Sequence, residues 1–346
     1  MEHPRQAPDL IGQSRVFIDA LAHASAAAAL DRPLLICGER GSGKELIAAR
    51  VHFLSPRWEG PFVKLNCAAL AEDLLDSELF GHEAGAFTGA TRRHAGRFER
   101  AEKGTLFLDE IASASLRIQE KLLRVIEYGE YERVGGAETR LADVRIVAAA
   151  NVDLPRLTEA GKFRADLLDR LAFDVVQTPP LRARREDIPI LAAHFATSLA
   201  REMNTAFQGF APEALATLLA HDWPGNVREL KNAAERSLYR WISAGNSGPV
   251  AEIVLDPFGG EHRAPPALSA KPAHAIDVPP AARYDFRREL DAVEKRWAQA
   301  ALLAHNWNQR ETAAALKLTY DQMRGLIRKH RLRVKKGAAY SASRAD

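Results

Sequence analysis

Cysteine is scarce in this chain, because Cys37 and Cys67 are the only two among 346 residues. Each borders an apolar, strand-like run, so we expect small buried side chains, which excludes a disulfide framework and suits a reducing cytoplasm. Long apolar runs are lacking too, since the longest candidate, residues 24–30, is mostly alanine. A membrane-spanning helix needs about 20 apolar residues, so neither membrane insertion nor secretion is expected.

An excess of one charge is also nearly absent. The chain has 48 Lys and Arg against 45 Asp and Glu, a formal net charge of +3. So small an excess identifies no partner, and the position of the positive charge matters more. Residues 324–336, RGLIRKHRLRVKK, hold seven Arg and Lys and no acidic residue. The positive charge is therefore gathered near the C-terminus.

Apolar runs alternate with helical periodicity from about residue 10 to residue 241. Residues 45–54 and 118–127 are examples of the helical segments. The apolar runs are typical of strands buried on both faces, as in a parallel sheet covered by helices. Four such strands are predicted, over residues 33–37, 61–67, 104–109 and 144–151. The alternation predicts an α/β sandwich with a parallel sheet.

Strand signals stop after Pro180. Three helices are predicted beyond it, over residues 187–202, 212–220 and 227–239, and they form a small helical subdomain. Residues 242–283 are rich in Pro, Ala, Gly and Ser with little periodicity, which predicts a linker. The C-terminal residues 335–346 are predicted to be a disordered tail.

Residues 284–334 have the pattern of a helix-turn-helix preceded by a charged amphipathic helix. Two short helices are predicted over 310–316 and 320–330, with Thr319 as the N-cap of the second. Basic side chains of the second helix can meet phosphates while its first turn faces base edges. The predicted DNA contacts are Arg310, Thr319, Tyr320, Gln322, Arg324, Arg328 and Lys329. A basic helix that is merely solvated is the alternative.

The stretch GERGSGKE, residues 38–45, follows a predicted strand and opens a predicted helix, the context of a phosphate-binding loop. Its glycines let backbone N–H groups turn toward one anion, and Lys44 reaches the outer phosphates. The candidate nucleotide-binding residues are Gly38, Glu39, Gly41, Ser42, Gly43, Lys44 and Glu45. Glu45 stands where the general pattern has a magnesium-binding Ser or Thr. A glycine turn that binds nothing is the alternative.

The run GTLFLDE places Asp109 and Glu110 at the carboxyl end of a buried strand, where ligands of open α/β sheets bind. Asp109 can hold Mg²⁺ through water, and Glu110 can orient or deprotonate an attacking water. Adjacent acids that begin a helix are the alternative. Asn151 ends the fourth strand and can sense the γ-phosphate, although a turn-forming Asn fits equally well.

Taken together, GERGSGKE, ELFGHEAGAFTGA, GTLFLDE, FRADLLDRL and WPGNVREL resemble the ATPase of bacterial sigma-54-dependent transcription activators over about residues 9–240. The resemblance implies an AAA+ P-loop ATPase over residues 8–241, with its α/β part to about 180 and its helical lid over about 181–241. It also implies a C-terminal all-α Fis-type DNA-binding domain over 284–334. ATP and Mg²⁺ as cofactors and a homo-hexamer follow from the same resemblance, and Glu45 fits this family.

The resemblance also implies roles for single residues. Asn66 would hold Glu110 in an inactive pose until the nucleotide state changes. Arg164 and Arg170 would be arginine fingers that reach a neighbouring subunit's nucleotide, and Arg228 would be the sensor arginine of the lid. Without the resemblance, Asn66 is a turn-forming Asn and the two arginines lie on a solvated helical face.

The string GAFTGA matches the loop with which this family contacts sigma-54 RNA polymerase. Its small residues let the loop extend and fold back, while its Phe offers apolar area and its Thr a hydrogen-bonding group. The implied contact residues are Gly85, Ala86, Phe87, Thr88, Gly89 and Ala90. A second insertion, around residues 130–138, is expected to support this loop. The alternative is a surface loop whose Phe packs into the core.

The ATPase begins within about ten residues of Met1, without the receiver domain that most relatives carry. We therefore expect control by another molecule. This order is similar to that of family members that a separate repressor, phage shock protein A, holds inactive, and Trp58 would be the docking residue. A Trp packed beneath its loop is the alternative.

The expected function is activation of sigma-54 RNA polymerase at double-stranded enhancer DNA, in the cytoplasm and at the nucleoid. Two other functions stay open: a DNA-bound repressor or scaffold whose nucleotide site controls assembly, and an AAA+ enzyme that remodels another protein.

Overall fold

The structure, a computed structural model, describes residues 10–257, 286–305 and 307–332. The chain divides into two compact units, Met1–His262 and Arg263–Asp346. No helix in these described ranges has both the length and the apolar character needed to cross a membrane. Most of the predicted linker and the whole predicted tail lie outside the described residues.

The first unit is built on one parallel sheet. Its described strands are β1 (Leu34–Cys37), β2 (Phe62–Asn66), β3 (Thr105–Asp109), β4 (Glu130–Glu132), β5 (Thr139–Leu141), β6 (Arg145–Ala150) and β7 (Val175–Gln177). Five of them form the sheet in the order β2-β3-β6-β1-β7, and β4 and β5 form a separate antiparallel hairpin. The four strands predicted from the sequence are confirmed, and β7 is a fifth strand that was not predicted.

Helices surround the sheet and continue beyond it. In the first unit the structure describes α1 (Arg15–Ala28), α2 (Lys44–Phe53), α3 (Glu72–Phe80), α4 (Arg97–Arg100), α5 (Leu116–Tyr128), α6 (Leu154–Glu159), α7 (Ala165–Leu171), α8 (Ile188–Glu202), α9 (Pro212–Ala220) and α10 (Asn226–Ser243). The predicted helices correspond to α2, α5, α8, α9 and α10. Both faces of the sheet are thus covered, as the parallel pairing requires.

Successive side chains of the central strands enter two different cores. On β3, Leu106 and Leu108 pack into a cluster with Ile118 and Leu122 of α5. Phe107, between them, packs on the opposite face with residues of α1 and α2. This alternation explains why the strand sequence is apolar throughout, since neither face meets water.

The lid is formed by α8, α9 and α10 around Trp223, whose side chain is completely buried. Its indole Nε1 donates to the carbonyl oxygen of Leu218 at 2.8 Å, so the buried polar atom is satisfied. Pro212 is the first residue of α9, as predicted.

The prediction of a linker from residue 242 is wrong at its beginning. Helix α10 continues to Ser243, and Val250 is buried against the lid. The Val250 carbonyl accepts from the Ala211 amide at 2.8 Å, and the Val250 amide donates to Gly209 at 2.9 Å. Ile253 also joins the lid core. The Val254 amide also donates to the Ser237 hydroxyl at 2.8 Å, so apolar contacts and hydrogen bonds together hold this segment on the lid.

The second unit contains α11 (Phe286–Ala304), α12 (Gln309–Ala315) and α13 (Tyr320–Lys329) among its described residues. Its core includes Leu302 of α11, Ala313 of α12 and Met323 of α13. Thr319 caps α13 as predicted, in a reciprocal capping box with Gln322. The turn between α12 and α13 holds Lys317 at φ +55°, a left-handed conformation that favours glycine.

A buried carboxylate fastens the N-terminal segment to the base of the lid. Asp187 is fully buried and accepts from the amides of Gln13 at 2.7 Å and Ser14 at 2.9 Å. It also accepts from the Ser14 hydroxyl at 2.7 Å. Three donors therefore depend on one side chain.

We expect Asp187→Ala to lower the free energy of unfolding of the first unit by about 3 kcal/mol or more, because each buried donor left without a partner costs about 1–3 kcal/mol. Urea unfolding followed by circular dichroism measures the change. Asp19→Ala is the matched control, since it removes only an exposed ion pair with Arg15 on the same segment. If both variants lower the free energy of unfolding equally, the hydrogen bonds of Asp187 stabilise the unit no more than the exposed ion pair does.

Candidate nucleotide-binding site

The predicted phosphate loop joins β1 to α2 at the carboxyl edge of the sheet. Gly41 at φ +76° and Gly43 at φ +99° adopt left-handed conformations, which a residue with a side chain would strain. Helix α2 begins directly after them, at Lys44. The loop thus sits at the N-terminus of a helix, where backbone N–H groups and the helix dipole favour an anion.

Lys44 lies inside this loop. Its ammonium donates to the carbonyl oxygens of Gly38 and Glu39, each at 2.9 Å. Burial lowers the pKa of Lys44, and the neighbouring carboxylates of Asp109 and Glu110 oppose that shift. The loop, the lysine and the two acids therefore form one electrostatic site, as the sequence predicts.

Asp109 ends β3 and Glu110 follows it in a left-handed conformation at φ +52°. The Glu110 amide donates to Asp109 Oδ1 at 2.9 Å, and burial raises the pKa of the Asp109 carboxyl. A positive-φ residue that is not glycine costs conformational energy, as is common where a fold aims a functional side chain. Glu110 is thus held in a strained conformation, and burial disfavours charge on Asp109.

A Mg²⁺ ion suits these residues. Carboxylate oxygens are among the ligands that Mg²⁺ prefers, and a bound cation offsets the burial that raises the pKa of Asp109. Glu45 is engaged elsewhere, because its carboxylate accepts from Lys64 Nζ at 2.7 Å. The site therefore offers Asp109 for a magnesium shell, and Glu45 points to Lys64.

Two asparagines lie at the same edge of the sheet. Asn66 pairs in register with Asp109 across β2 and β3, and exposed Asn151 directly follows β6. Asn66 Oδ1 accepts from the Ala68 amide at 2.8 Å, and no hydrogen bond between Asn66 and Glu110 occurs in the described part of the chain. In this conformation Asn66 is a turn-forming residue, which was the alternative to a contact with Glu110.

The three predicted arginines differ in their surroundings. Arg228 lies beside its own phosphate loop, since a Cβ on Gly41 would be 3.2 Å from the Cβ of Arg228. Arg164 pairs with Asp166 at 2.7 Å and Arg170 with Glu127 at 2.6 Å, all partly exposed. Partly exposed guanidinium groups remain able to exchange these partners for a ligand, since exposed pairs contribute little free energy.

Residues of the lid contact the outside of the phosphate loop, and the sequence patterns did not reveal them. Arg182 binds the Glu39 carboxylate through both terminal nitrogens, at 2.7 and 2.5 Å. Asn226 Nδ2 donates to Glu39 Oε2 at 3.1 Å and to the Arg40 carbonyl at 3.0 Å. The side chain of Glu39, predicted to bind nucleotide, is therefore turned toward the lid.

The GAFTGA string forms a tight loop with an exposed tip. The Gly85 amide donates to the Ala90 carbonyl at 2.8 Å, and Gly85 and Gly89 both have positive φ. Phe87 is 43 % exposed and contacts the His82 ring edge-to-face at 4.9 Å. Its burial in the core, the alternative interpretation, is not observed. Thr88 is exposed beside it.

The β4–β5 hairpin abuts this loop. A Cβ on Gly135, in the turn of the hairpin, would lie 2.7 Å from the Cβ of Ala86, so only glycine permits the approach. The Glu83 amide donates to Val134 at 3.1 Å. Arg133 is buried and binds the carboxylates of both Glu83 and Glu99. The β4–β5 hairpin therefore supports the GAFTGA loop, as was predicted for the insertion around residues 130–138.

Trp58 lies in the loop after α2 and is 53 % exposed. A tryptophan packed beneath its loop, the alternative interpretation, is therefore not observed. Its indole offers a large amphipathic contact area, of the kind enriched at protein interfaces.

In the second unit the predicted DNA contacts separate into two groups. The guanidinium groups of Arg310 and Arg324 lie over the ring of Tyr320, at 5.7 and 5.8 Å from its centroid. Arg328 is exposed. Lys329 instead binds Asp291 at 2.7 Å and Glu294 at 2.6 Å. The contact of Lys329 with DNA stays a prediction, because an exposed ion pair of this kind can be exchanged for a phosphate.

Thr319 and Gln322 are both exposed, and they bond to each other. The Thr319 amide donates to Gln322 Oε1 at 2.8 Å, and the Gln322 amide donates to the Thr319 hydroxyl at 3.3 Å. Their bonded polar groups thus begin α13, and Tyr320 and Arg324 are exposed on its first turns.

Known proteins share these features. A family model described as the sigma-54 interaction domain matches residues 10–177, and one described as an AAA+ ATPase lid domain matches residues 182–243. The chain is 53 % identical to the Psp operon transcriptional activator of Escherichia coli over 325 residues, which cover 94 % of this chain and 98 % of that protein. It is 52 % identical to the E. coli DNA-binding transcriptional activator HyfR over 69 % of this chain and 35 % of that protein.

The fold is also similar to that of solved structures. NtrX from Brucella abortus in complex with ATP has a TM-score of 0.67 and 31 % identity, over 94 % of this chain and 70 % of that chain. Its complex with ADP has the same TM-score and identity. With its phosphate loop, lid and GAFTGA string in the places described above, this chain belongs to the sigma-54-dependent transcriptional activators, a family built on an AAA+ P-loop ATPase.

Proposed function

We propose that this protein binds enhancer DNA and uses ATP hydrolysis in a hexameric ring to remodel a closed sigma-54 RNA polymerase promoter complex into an open one. One observation carries the proposal: a phosphate loop with Lys44, Asp109 and Glu110 lies in the same folded unit as an exposed loop tip made of Phe87 and Thr88. The first group supplies energy, and the second is placed to transmit it.

At the nucleotide, the backbone of the phosphate loop and Lys44 hold the phosphates. Asp109 would hold Mg²⁺ through water, and the bound ion would neutralise phosphate charge. Glu110 orients or deprotonates the attacking water. Asn66 holds Glu110 in an inactive pose until the nucleotide state changes, and Asn151 senses the γ-phosphate. Arg228 contacts the nucleotide from the lid of the same subunit.

Arg164 and Arg170 act on the nucleotide of the next subunit. Their pairs with Asp166 and Glu127 are partly exposed, so a neighbouring subunit's phosphates can compete for both guanidinium groups. Sharing each site between two subunits requires a ring, which we take to be a homo-hexamer.

Residues 85–90 contact sigma-54. The exposed Phe87 provides apolar area and Thr88 provides a hydroxyl, while the β4–β5 hairpin supports the loop through Gly135. Loss of the γ-phosphate changes the strand ends that carry Glu110, and the braced loop moves with them.

The target is a phage shock operon, and control comes from a repressor resembling phage shock protein A. The similarity to the Psp operon transcriptional activator over nearly the whole of both chains supports this assignment. The exposed Trp58 is the docking residue. These functions place the protein in the cytoplasm, at the nucleoid.

We expect Glu110→Ala to abolish ATP turnover and to leave nucleotide affinity within about twofold, because Glu110 acts on the attacking water rather than on the phosphates. Steady-state hydrolysis and equilibrium binding of a fluorescent ATP analogue measure the two effects. Glu202→Ala, an exposed acid on α8, is the control and should hydrolyse ATP normally. Persistent turnover in Glu110→Ala would remove this residue from the chemistry.

We expect Thr88→Ala to retain ATPase activity and to lose most activation of a sigma-54 promoter, since Thr88 lies at the exposed tip. Open-complex formation on supercoiled template, with purified polymerase, is the measurement. Thr91→Ala changes an exposed threonine just outside the string and should activate normally. If Thr88→Ala activates as well as Thr91→Ala, the loop has no part in remodelling. The same assay with a non-hydrolysable nucleotide should give no open complex.

We expect Arg324→Ala to weaken binding to enhancer DNA by at least tenfold and to reduce its salt dependence, because Arg324 is exposed on the first turns of α13. Lys329→Ala should change the salt dependence little, since Asp291 and Glu294 already neutralise Lys329. Fluorescence anisotropy at several salt concentrations compares the two. Equal slopes for Arg324→Ala and wild type would contradict this DNA-binding surface.

A further inference from the structure

The phosphate loop, which should bind an anion, carries an acidic side chain that is turned toward the lid. Glu39 is the second residue of the loop, beside Gly38, whose carbonyl contacts Lys44. A carboxylate so near a triphosphate opposes its binding, because like charges repel and the water that would screen them is partly displaced. The loop therefore needs a device that neutralises Glu39.

Arg182 supplies the neutralising charge. Its two terminal nitrogens bind the two oxygens of Glu39 at 2.7 and 2.5 Å, the fork geometry in which Arg–carboxylate pairs are strongest. This pairing, with the Asn226 amide, lowers the pKa of Glu39 to about 2. Glu39 is therefore ionised at every physiological pH, and its charge is balanced only while Arg182 is in place.

Asn226 ties the same carboxylate to the first residue of α10. It is completely buried and has a positive φ of 53°, which Asn tolerates better than most residues. Its Nδ2 reaches Glu39 and the Arg40 carbonyl, and its Oδ1 accepts from the Leu181 amide at 2.8 Å. One side chain thus joins the phosphate loop, the base of the lid and the start of α10.

The backbone strengthens the same junction. The Val227 amide donates to the Gly41 carbonyl at 3.0 Å. A Cβ on Gly41 would lie 2.3 Å from the Gly225 carbonyl oxygen, so the loop and the lid approach as closely as two backbones can. Lid contacts therefore reach residues 39, 40 and 41 in succession.

We propose that Glu39, Arg182 and Asn226 form a clasp through which the lid neutralises the phosphate loop and makes it competent to bind nucleotide. The proposal rests on the ATP site of the proposed function and adds two positioning residues to it, Arg182 and Asn226. They act through Glu39 and the loop backbone, unlike Arg228, which faces the nucleotide. An open lid then leaves a negatively charged loop that releases nucleotide.

The competing explanation is that Arg182 is a purely structural contact. The two explanations differ in whether the charge of Glu39 matters. If Arg182 merely holds the lid, its loss impairs binding whatever residue stands at position 39. If Arg182 neutralises Glu39, replacing Glu39 by Gln removes the need for it. The test therefore uses Arg182 and Glu39, because a substitution of the fully buried Asn226 threatens folding itself.

The experiment measures the affinity of the full chain for a fluorescent ATP analogue. We expect Arg182→Ala to weaken binding about fivefold, the upper range for a partly exposed ion pair. Adding Glu39→Gln to that variant should restore affinity to within about twofold of Glu39→Gln alone. The defect of Arg182→Ala should also shrink as salt is added, because salt screens the exposed carboxylate.

Arg185→Ala is the matched control. It breaks a similarly exposed pair with Asp222 at 2.9 Å, three residues further along the chain. Equal affinities in Arg182→Ala and Arg185→Ala would overturn the clasp, and so would a double variant as weak as Arg182→Ala alone. Hydrolysis by the wild-type chain tests the proposed function separately, since the clasp is measured by binding and not by turnover.

Discussion

The in-register pairing of the parallel strands is the constraint on which the rest depends. Because β2, β3, β6 and β1 run in one direction, their carboxyl ends meet at one edge, and the residues that follow them become neighbours. Two hydrogen bonds continue the pairing past the strands: Gly38 amide to Ala150 carbonyl at 3.1 Å and Cys67 amide to Asp109 carbonyl at 2.9 Å. A slip of one residue would turn Asp109 away from the loop.

A network of charged side chains joins the GAFTGA loop to the β4–β5 hairpin. Glu99 and Glu83 flank the first insertion, and buried Arg133 of the second insertion binds both. A buried guanidinium that lost either partner would leave an uncompensated charge, which is costly. The loop of residues 85–90 and the β4–β5 hairpin therefore move together or the network breaks, whereas Phe87 at the exposed tip contacts the His82 ring.

The sequence predicted those features that depend on a few consecutive residues. The apolar run into Asp109, the glycines of the phosphate loop and the Thr319 cap need only short-range geometry, and all lie where expected. Strand β7 has three residues, too few for a periodic signal. The partners of Glu39 and Lys329 are 143 and 35 residues away in sequence, so no local pattern contains them, and their side-chain directions emerged only from the fold.

Helix α10 connects the proposed clasp at Asn226 to the rest of the lid. The helix carries Asn226 and Val227 on its first turn, and these two residues contact Glu39, Arg40 and Gly41 of the phosphate loop. Eighteen residues of helix extend about 27 Å at 1.5 Å per residue, so a tilt of about 5° at the first turn displaces the last turn by about 2 Å. That far end packs with α8, where Ala200 and Leu238 share a core with Val250. The proposed clasp therefore couples the Glu39–Arg182 pair to the position of the whole lid, because a packed helix transmits a tilt without bending.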